Sequence, residues 1–290
     1  MKTTTAPRPV RDVDVPAGPA ATARAGAGGT RTPRKILSRD TVLPVAASFS
    51  IVAAWEMLSR AGVISELVSS PVQIVVWLAS QVGQPELWLA IGNTMQHALL
   101  GLLFGSLAGV ILGLILGEVP IAQRLFQSSI EFLRPIPVVV YLPLLVLVFG
   151  ATDQTAILLV AIGAIWPMLY QTIYGVRAVD NLLVDAGRVF GLTARQRLVT
   201  ITLPSISPYL ATGLRISLSI SLVVAVAIEL IAGVAGLGWS LTQYRTAGNI
   251  PAVYGIVVTT GLVSLVLNKV MLVVEKSTLH WHVSNRVVKG

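Results

Sequence analysis

Residues 98–117 read ALLGLLFGSLAGVILGLILG and contain no charged residue. A helix of about 20 apolar residues matches the hydrocarbon core of a bilayer, so this stretch predicts a membrane-spanning helix. Its glycines recur at a strict spacing of four and share one helix face, where a neighbouring backbone can approach closely. We interpret this face as tight packing within one subunit, with a sliding surface or a dimer contact as the alternative. The glycines are Gly101, Gly105, Gly109, Gly113 and Gly117.

Five more segments along the chain have a similar apolar length. Only 12% of the residues are charged and 54% are hydrophobic, whereas roughly a quarter of the residues in a soluble domain are charged. Lipid must therefore cover much of the surface, and we predict an all-α membrane protein with about six transmembrane helices. The predicted spans are Val42–Leu58, Ala98–Gly117, Phe132–Gly150, Thr155–Tyr174, Ile216–Ala235 and Ala252–Val274.

The residues of the third predicted span do not by themselves indicate that it crosses the membrane, so the charge distribution of the whole chain is used to decide. It carries Arg134 and three prolines, and its uninterrupted apolar part, residues 138–149, is too short to cross alone. Counting it puts seventeen Lys and Arg residues on the inner side and two, Arg60 and Arg245, outside. Deleting it would move the basic loop 176–204 outside, against the positive-inside rule. The charge bias therefore favours six spans with cytoplasmic amino and carboxyl termini.

The chain divides into a membrane domain, residues 40–275, and two basic tails. Residues 1–39 are rich in Pro, Ala, Gly, Thr and Arg without an apolar run, which predicts a disordered cytoplasmic tail. A transit peptide is the alternative, whereas the apolar core of a signal peptide is absent. Residues 276–290 form the second cytoplasmic tail. A short helical run from Ser70-Pro71 to Ser80 is expected at the outer interface or against the bundle.

Chemistry-bearing motifs are missing from this sequence. The chain has no cysteine, which excludes disulfides, thiolate metal sites and cysteine nucleophiles. Its three histidines include no H-E-x-x-H pair, and it has no G-x-x-x-x-G-K-[ST] phosphate loop. The basic residues cluster at span ends and in the tails, which indicates membrane orientation and lipid contact instead of nucleic-acid binding. We therefore expect no catalytic site, no metal and no cofactor on this chain.

The polar loop between the fourth and fifth spans predicts a helix–turn–helix. Gly191 can adopt the left-handed conformation that ends a first helix. Thr193 and Gln196 stand at capping-box spacing and can begin a second helix, which Pro204 would end. The small residues and single acid of Asp185-Ala186-Gly187 offer a surface that another protein could approach. An amphipathic loop lying on lipid headgroups is the alternative.

The spacing in this loop resembles the EAA loop of ABC importer permeases, Glu-Ala-Ala, three residues, Gly, nine residues and Ile-x-Leu-Pro. Every spacing agrees, and the two departures are Asp for Glu and Gly for the second Ala. The resemblance covers roughly residues 40–285 and is closest to the nitrate/sulfonate/taurine-type permeases. The segments 131–137, 213–215 and 236–238 also resemble that family. The matching loop residues are Asp185, Ala186, Gly187, Gly191, Ile201, Leu203 and Pro204.

This resemblance implies a transport subunit that is not itself an enzyme. It implies a multi-pass permease of the bacterial plasma membrane that imports a small solute, such as a sulfonate, taurine or nitrate. The implied partners are two copies of a cytoplasmic ABC ATPase, which hold the ATP and Mg²⁺, and an extracytoplasmic solute-binding protein or lipoprotein. A second copy of the permease, in a homodimer, is also implied. A secondary transporter is the competing hypothesis, but no inverted repeat supports it.

Two titratable residues within the spans are candidates for the transport pathway. Glu229 lies in the outer half of the fifth span, where a carboxylate facing lipid is costly, so we expect it to face the bundle or a wet cavity. A pathway or gating role and an internal hydrogen bond or ion pair are both open for it. His97 begins the second span, where local hydrogen bonding is the alternative to contact with the solute.

Overall fold

The computed structural model describes residues 39–63, 65 and 67–278, and every regular element in this range is helical. Residues 1–49 and 50–290 form two units. The predicted tails lie outside the described residues, apart from Arg39 and residues 276–278. The helices are α1 Arg39–Arg60, α2 Pro71–Gln81, α3 Pro85–Glu118, α4 Pro120–Leu133, α5 Leu142–Phe149, α6 Asp153–Arg177, α7 Asn181–Val189, α8 Ala194–Arg197, α9 Leu203–Ala232, α10 Leu237–Thr246 and α11 Ile250–Thr278.

Four helical segments in the described part of the chain are long and apolar enough to cross a membrane. They are α3, α6, α11 and the run Ala194–Ala232 that joins α8 to α9. The first three contain the second, fourth and sixth predicted spans, and the run contains the fifth as far as Ala232, short of its predicted end at Ala235. The first predicted span lies within α1, which is not one of the four. The all-helical prediction is confirmed for the described residues, while the number of six spans stays a prediction.

The third predicted span, Phe132–Gly150, is not one helix. Helix α4 ends at Leu133, and a second stretch, Val138–Phe149, begins with a 3₁₀ turn and is bent from α4 by 89°. The break contains Pro135 and Pro137, which lack a backbone N–H and disfavour helical conformation in the residue before them. This bent pair gives a fifth crossing only if it counts as one broken span.

Helix α2 begins where the sequence predicts. The Ser70 side chain accepts from the Gln73 backbone N–H at 3.3 Å, and the Gln73 side chain accepts from the Ser70 N–H at 3.1 Å. This reciprocal capping box satisfies two N–H groups at the helix start, and Pro71 occupies the first helical position. The helix spans only 11 residues, too few to cross a bilayer.

The glycine face of α3 packs on α6. A Cβ atom built on any of the five glycines would come within 3.0 Å of an α6 atom, so only hydrogen fits between the helices. The opposing side chains on α6 also recur at a spacing of four, and this row packs into the groove that the glycines leave along α3. The glycine face therefore packs against a helix of the same subunit. The opposing residues are Val160, Ala164, Met168, Thr172 and Val176.

Helix α9 completes the core by packing against both α3 and α6. The largest buried cluster includes Ala98 of α3, Ala156 and Leu159 of α6, and Leu222 and Ile228 of α9. A second cluster joins the outer part of α3 to α10 and α11. Many large apolar side chains on α3, α5 and α11 remain exposed, as expected where lipid is the solvent.

We expect Gly109→Ala to destabilise the fold and Gly92→Ala to leave it intact. Alanine has the higher helix propensity, by up to about 1 kcal/mol, but a Cβ at Gly109 would lie 2.7 Å from the Ile165 carbonyl oxygen and the Met168 Cβ. At Gly92, on the same helix, nothing lies within 4 Å. Overpacking costs about 1–3 kcal/mol.

Thermal unfolding of the two full-length variants in detergent, followed by circular dichroism, measures this difference. Gly109→Ala should unfold at a lower temperature than the unmodified chain, and Gly92→Ala at the same or a higher temperature. Equal midpoints for the two variants would show that the α3–α6 contact tolerates a methyl group.

Candidate functional site

The first half of the loop between α6 and α9 is built as the sequence predicts. Asp180 is the N-cap of helix α7, and its side chain accepts a hydrogen bond from the Leu182 N–H at 2.9 Å. At its end, Gly191 has a φ of +73°. The Leu192 N–H donates to the Gly187 carbonyl at 2.9 Å and the Gly191 N–H to the Arg188 carbonyl at 3.0 Å. These two bonds define a Schellman motif, so the left-handed conformation predicted for Gly191 is confirmed.

The second half of the loop contains the predicted capping box. The Gln196 N–H donates to the Thr193 hydroxyl at 3.3 Å, and the Thr193 N–H donates to the Gln196 side chain at 2.8 Å. The short helix α8 that follows continues through a π-helical turn, Leu198–Thr202, directly into α9.

Pro204 does not end this second helix, contrary to the sequence prediction. It lies in the first turn of α9, where its missing N–H is tolerated. The preceding π turn accommodates the proline, because it widens the helix there: the Leu203 N–H donates to the Leu198 carbonyl, five residues earlier. Wide turns of this kind absorb irregularities in the helical ladder. The result is a single helical run from Ala194 to Ala232.

The predicted coupling residues differ in exposure along the loop. Asp185 is exposed and pairs with Arg188 at 2.8 Å on the surface of α7. Gly187 is buried, and a Cβ there would lie 2.8 Å from the Ile201 Cδ1 atom. The glycine that replaces the second alanine of the motif therefore lets α7 lie close to the π turn. Ala186 is partly buried beside it.

The exposed surface of the loop carries an apolar patch that the sequence analysis did not single out. Val189 is 85% exposed, Phe190 83% and Leu182 73%. Large apolar side chains clustered on a polar loop mark a protein contact more often than free surface. The apolar pair directly before Gly191 was the sequence signal that could have revealed this patch.

The loop is tied to the helix bundle at its π turn. The buried Thr202 hydroxyl donates to the Glu118 carboxylate at the end of α3, at 3.3 Å. Farther along α9, Arg215 forms an ion pair with Glu275 of α11. Movement of the loop is thereby linked to three of the long helices.

At the opposite end of the bundle, Glu229 and His97 lie in direct contact, although 132 residues separate them in the chain. Glu229 is fully buried and His97 is 1% exposed. One Glu229 carboxylate oxygen lies 2.9 Å from the His97 Nδ1 atom. The other accepts from the Thr94 hydroxyl at 2.8 Å and from the Gly238 backbone N–H at 3.0 Å. We call these groups, with Asp153 and the Leu237 N–H, the Glu229 network.

The remaining contacts of the Glu229 network bring in two more elements. The His97 Nε2 atom lies 3.2 Å from the Asp153 carboxylate at the start of α6. The Leu237 N–H at the start of α10 donates to the Thr94 hydroxyl at 2.9 Å. The network therefore joins α3, α6, α9 and α10, and both oxygens of the buried Glu229 side chain have hydrogen-bond partners, as burial of a polar group requires.

Small residues around Glu229 make room for the network. A Cβ on Gly236 would overlap the Glu229 carboxylate, and one on Gly238 would lie 2.8 Å from the Glu229 Cβ. This explains the Gly-Leu-Gly sequence that follows α9. These contacts give Glu229 and His97 internal hydrogen-bond partners, and a pathway or gating role for them stays a prediction.

Sequence reasoning did not connect Thr94 and Asp153 to this network. Both lie near predicted span ends at the same side of the membrane as His97 and Glu229, and this shared depth was the available signal. Within the described residues, no cluster of three or more His, Cys, Asp and Glu side chains could hold a metal ion.

Residues 101–277, more than half of the chain, match the family described as the binding-protein-dependent transport system inner membrane component. The chain belongs to this family. The permease is 31% identical over 235 residues to the putative aliphatic sulfonates transport permease protein SsuC of Escherichia coli (strain K12), covering 80% of this chain and 89% of the relative. It is 27% identical to the taurine transport system permease protein TauC of the same organism, covering 85% and 92%.

A solved structure of the MetNI methionine ABC transporter, in inward-facing conformations, shares the fold. Its matching chain has a TM-score of 0.60 and 19% identity, and the match covers 67% of this permease and 98% of that chain. At this identity the likeness concerns the fold alone. The resemblance seen in the sequence is confirmed, and the permease is a multi-pass plasma-membrane transport subunit.

We expect Thr94→Val to destabilise the permease by about 1–3 kcal/mol, because the change leaves the Leu237 N–H unpaired and removes one donor from Glu229. Ser221→Ala is the matched control. Ser221 is fully buried in α9, and its hydroxyl has no hydrogen-bond partner among the described residues. Thermal unfolding in detergent should show a lower midpoint for Thr94→Val only. A similar loss in both variants would mean that the network adds no more stability than any buried hydroxyl.

Proposed function

We propose that this permease forms the transmembrane pathway of an importer for a small organic sulfonate, driven by a separate cytoplasmic ATPase. An extracytoplasmic solute-binding protein would deliver the solute. The observation that carries the proposal is the rigid loop 180–204, which has the motif spacing of ABC importer permeases and exposes an apolar patch beside Gly191.

The loop is built to transmit force. Its Schellman turn and capping box fix the angle between α7 and α8. The run Ala194–Ala232 connects the turn at 191–193, next to the docking surface on α7, to the core without an intervening coil. An ATPase that binds Val189 and Phe190 would therefore move α9 as a lever. The hydrogen bond from Thr202 to Glu118 would transmit part of that movement to α3.

ATP and Mg²⁺ would be held by the ATPase, since the chain has no phosphate-binding loop of its own. Two permease copies, in a homodimer, would each engage one ATPase. We propose that Asp185, Ala186, Gly187, Gly191, Ile201, Leu203 and Pro204 serve this coupling.

We propose a gating role for Glu229 and His97. Because both side chains are buried, neither can contact a solute in this conformation. The Glu229 network instead ties the ends of α3, α6, α9 and α10 together on the side that the charge bias places outside. Separating these helix ends to admit a solute would require the network to break or rearrange, so it would act as an outer latch.

The proposed substrate class rests on the relatives. The two Escherichia coli relatives are named for aliphatic sulfonates and for taurine, and taurine is itself a sulfonate. Nitrate, like a sulfonate group, carries one negative charge spread over three oxygen atoms. It is the second and smaller candidate for the solute.

Labelling of introduced cysteines tests the proposed orientation. The chain has no native cysteine, so Arg195→Cys and Arg245→Cys each create a single thiol. Arg195 in α8 and Arg245 in α10 are both exposed. In intact cells, a membrane-impermeant maleimide should label only Arg245→Cys, and permeabilisation should add Arg195→Cys. Labelling of Arg195→Cys in intact cells would place the loop outside and end the ATPase proposal.

Gly191→Val should abolish ATPase binding while leaving the permease in the membrane. Valine is strained at a φ of +73°, at a cost of about 1–3 kcal/mol, and relief of that strain would change the angle between α7 and α8. Gly248→Val is the matched control, because Gly248 has a φ of +71° and, like Gly191, nothing within 4 Å of a built Cβ. It lies after α10, away from the loop.

Co-purification with the ATPase from detergent-solubilised membranes measures the effect. The Gly248→Val variant should retain the ATPase at the level of the unmodified chain, and Gly191→Val should lose it. Normal recovery of the ATPase with Gly191→Val would refute the docking surface.

A further inference from the structure

A cavity of about 430 Å³ lies between the bend that follows α4, the middle of α6 and the first half of α9. This volume is within the range of small-molecule sites, about 300–1,000 Å³. Among the described residues that line it, Arg134 alone is charged. Aromatic side chains of α6 form much of the wall, namely Trp166, Tyr170 and Tyr174.

The Arg134 side chain has a defined orientation, and its N–H groups are available to a ligand. It forms the C-cap of α4 at the 89° bend, and its neighbour Pro135 restricts the backbone there. Its guanidinium carbon lies 4.4 Å from the centre of the Tyr170 ring, in a cation–π contact that orients the side chain. Within the described part of the chain, the guanidinium forms no ion pair and donates no hydrogen bond.

No carboxylate among the described residues forms an ion pair with this cation. The nearest acid in sequence, Glu131, accepts from the Gln127 side chain at 2.8 Å and does not line the cavity. The other polar side chain that reaches into the aromatic wall is the neutral amide of Gln171. An arginine that lines a semi-enclosed aromatic cavity without a carboxylate partner among the described residues suits an oxyanion.

We propose that this cavity binds the anionic group of the transported solute, with Arg134 pairing to a sulfonate and the α6 aromatics covering its organic part. The inference rests on the proposed function and extends it, because it gives the membrane subunit its own recognition of the anion. Ile216 and Ile220 of α9 line the same cavity. The site therefore lies directly against the helix that the loop would move, where a power stroke could change its shape.

Fluorine NMR with 2,2,2-trifluoroethanesulfonate as the probe tests the site. The full-length chain in phosphatidylcholine nanodiscs should broaden the probe resonance in a concentration-dependent way, and uncharged trifluoroethanol should stay sharp. Arg134→Gln should weaken binding by about tenfold or more, since it removes a charge-assisted pair. The affinity of Arg134→Lys for the probe should lie between that of the unmodified chain and that of Arg134→Gln, because lysine keeps the charge but lacks the planar guanidinium group.

Arg124→Gln is the matched control. Arg124 lies on the same helix α4, is exposed, and does not line the cavity. This variant loses the same charge, and we expect it to bind the probe like the unmodified chain. Equal broadening by Arg134→Gln and the unmodified chain would overturn the site, as would equal loss in both Gln variants. No broadening by the unmodified chain would also overturn it, which is the expected result if lipid phosphate occupies Arg134.

The binding measurement uses neither ATP nor ATPase, so its failure is distinguishable from failure of the proposed function. A chain that co-purifies with its ATPase but binds no probe would contradict only the cavity. Uptake of the same probe by cells that express the full transporter should fall by about tenfold in Arg134→Gln and be unchanged in Arg124→Gln. ATPase recovery should be normal in both, which separates a lost anion site from lost coupling.

Discussion

The close approach of α3 to α6 is the contact on which the rest of the bundle depends. In a bilayer the exposed lipid is as apolar as the side chains, so helices associate through close packing and not through escape from water. The glycine face of α3 meets side chains of matching spacing on α6, with no room for a further carbon atom between them. Helix α9 then packs against both helices and encloses the core.

This close packing also determines where polar groups can meet. Near the start of α3, Thr94 and His97 reach Glu229 on α9, and His97 extends to Asp153 at the start of α6. Each interaction needs its partner helix at a fixed distance, because a buried carboxylate is stable only if hydrogen-bond donors surround it. The glycines Gly236 and Gly238 contribute by letting the backbone come within bonding distance of the carboxylate.

The two ends of α9 have different physical roles. One end continues through a π turn into the loop, where α7 exposes the apolar patch, while the other end is held in the Glu229 network. Between them, Ile216 and Ile220 line the cavity that contains Arg134. A movement at the loop can therefore reach both the cavity and the network through a single helix. In the function we propose, this arrangement would give a mechanical route from ATPase docking to solute release.

The sequence by itself determined the features that depend on local chemistry or on periodicity. Charge content indicated the membrane, glycine spacing predicted the packing face, and Gly191, Thr193 and Gln196 predicted the turn, because caps and left-handed positions depend on a few adjacent residues. Only the tertiary structure decided features that join distant segments. The contact of His97 with Glu229, the π turn that accommodates Pro204 and the 89° bend beside Arg134 depend on how whole helices pack. A single sequence does not contain the distances between helices, so it could name these residues but not bring them together.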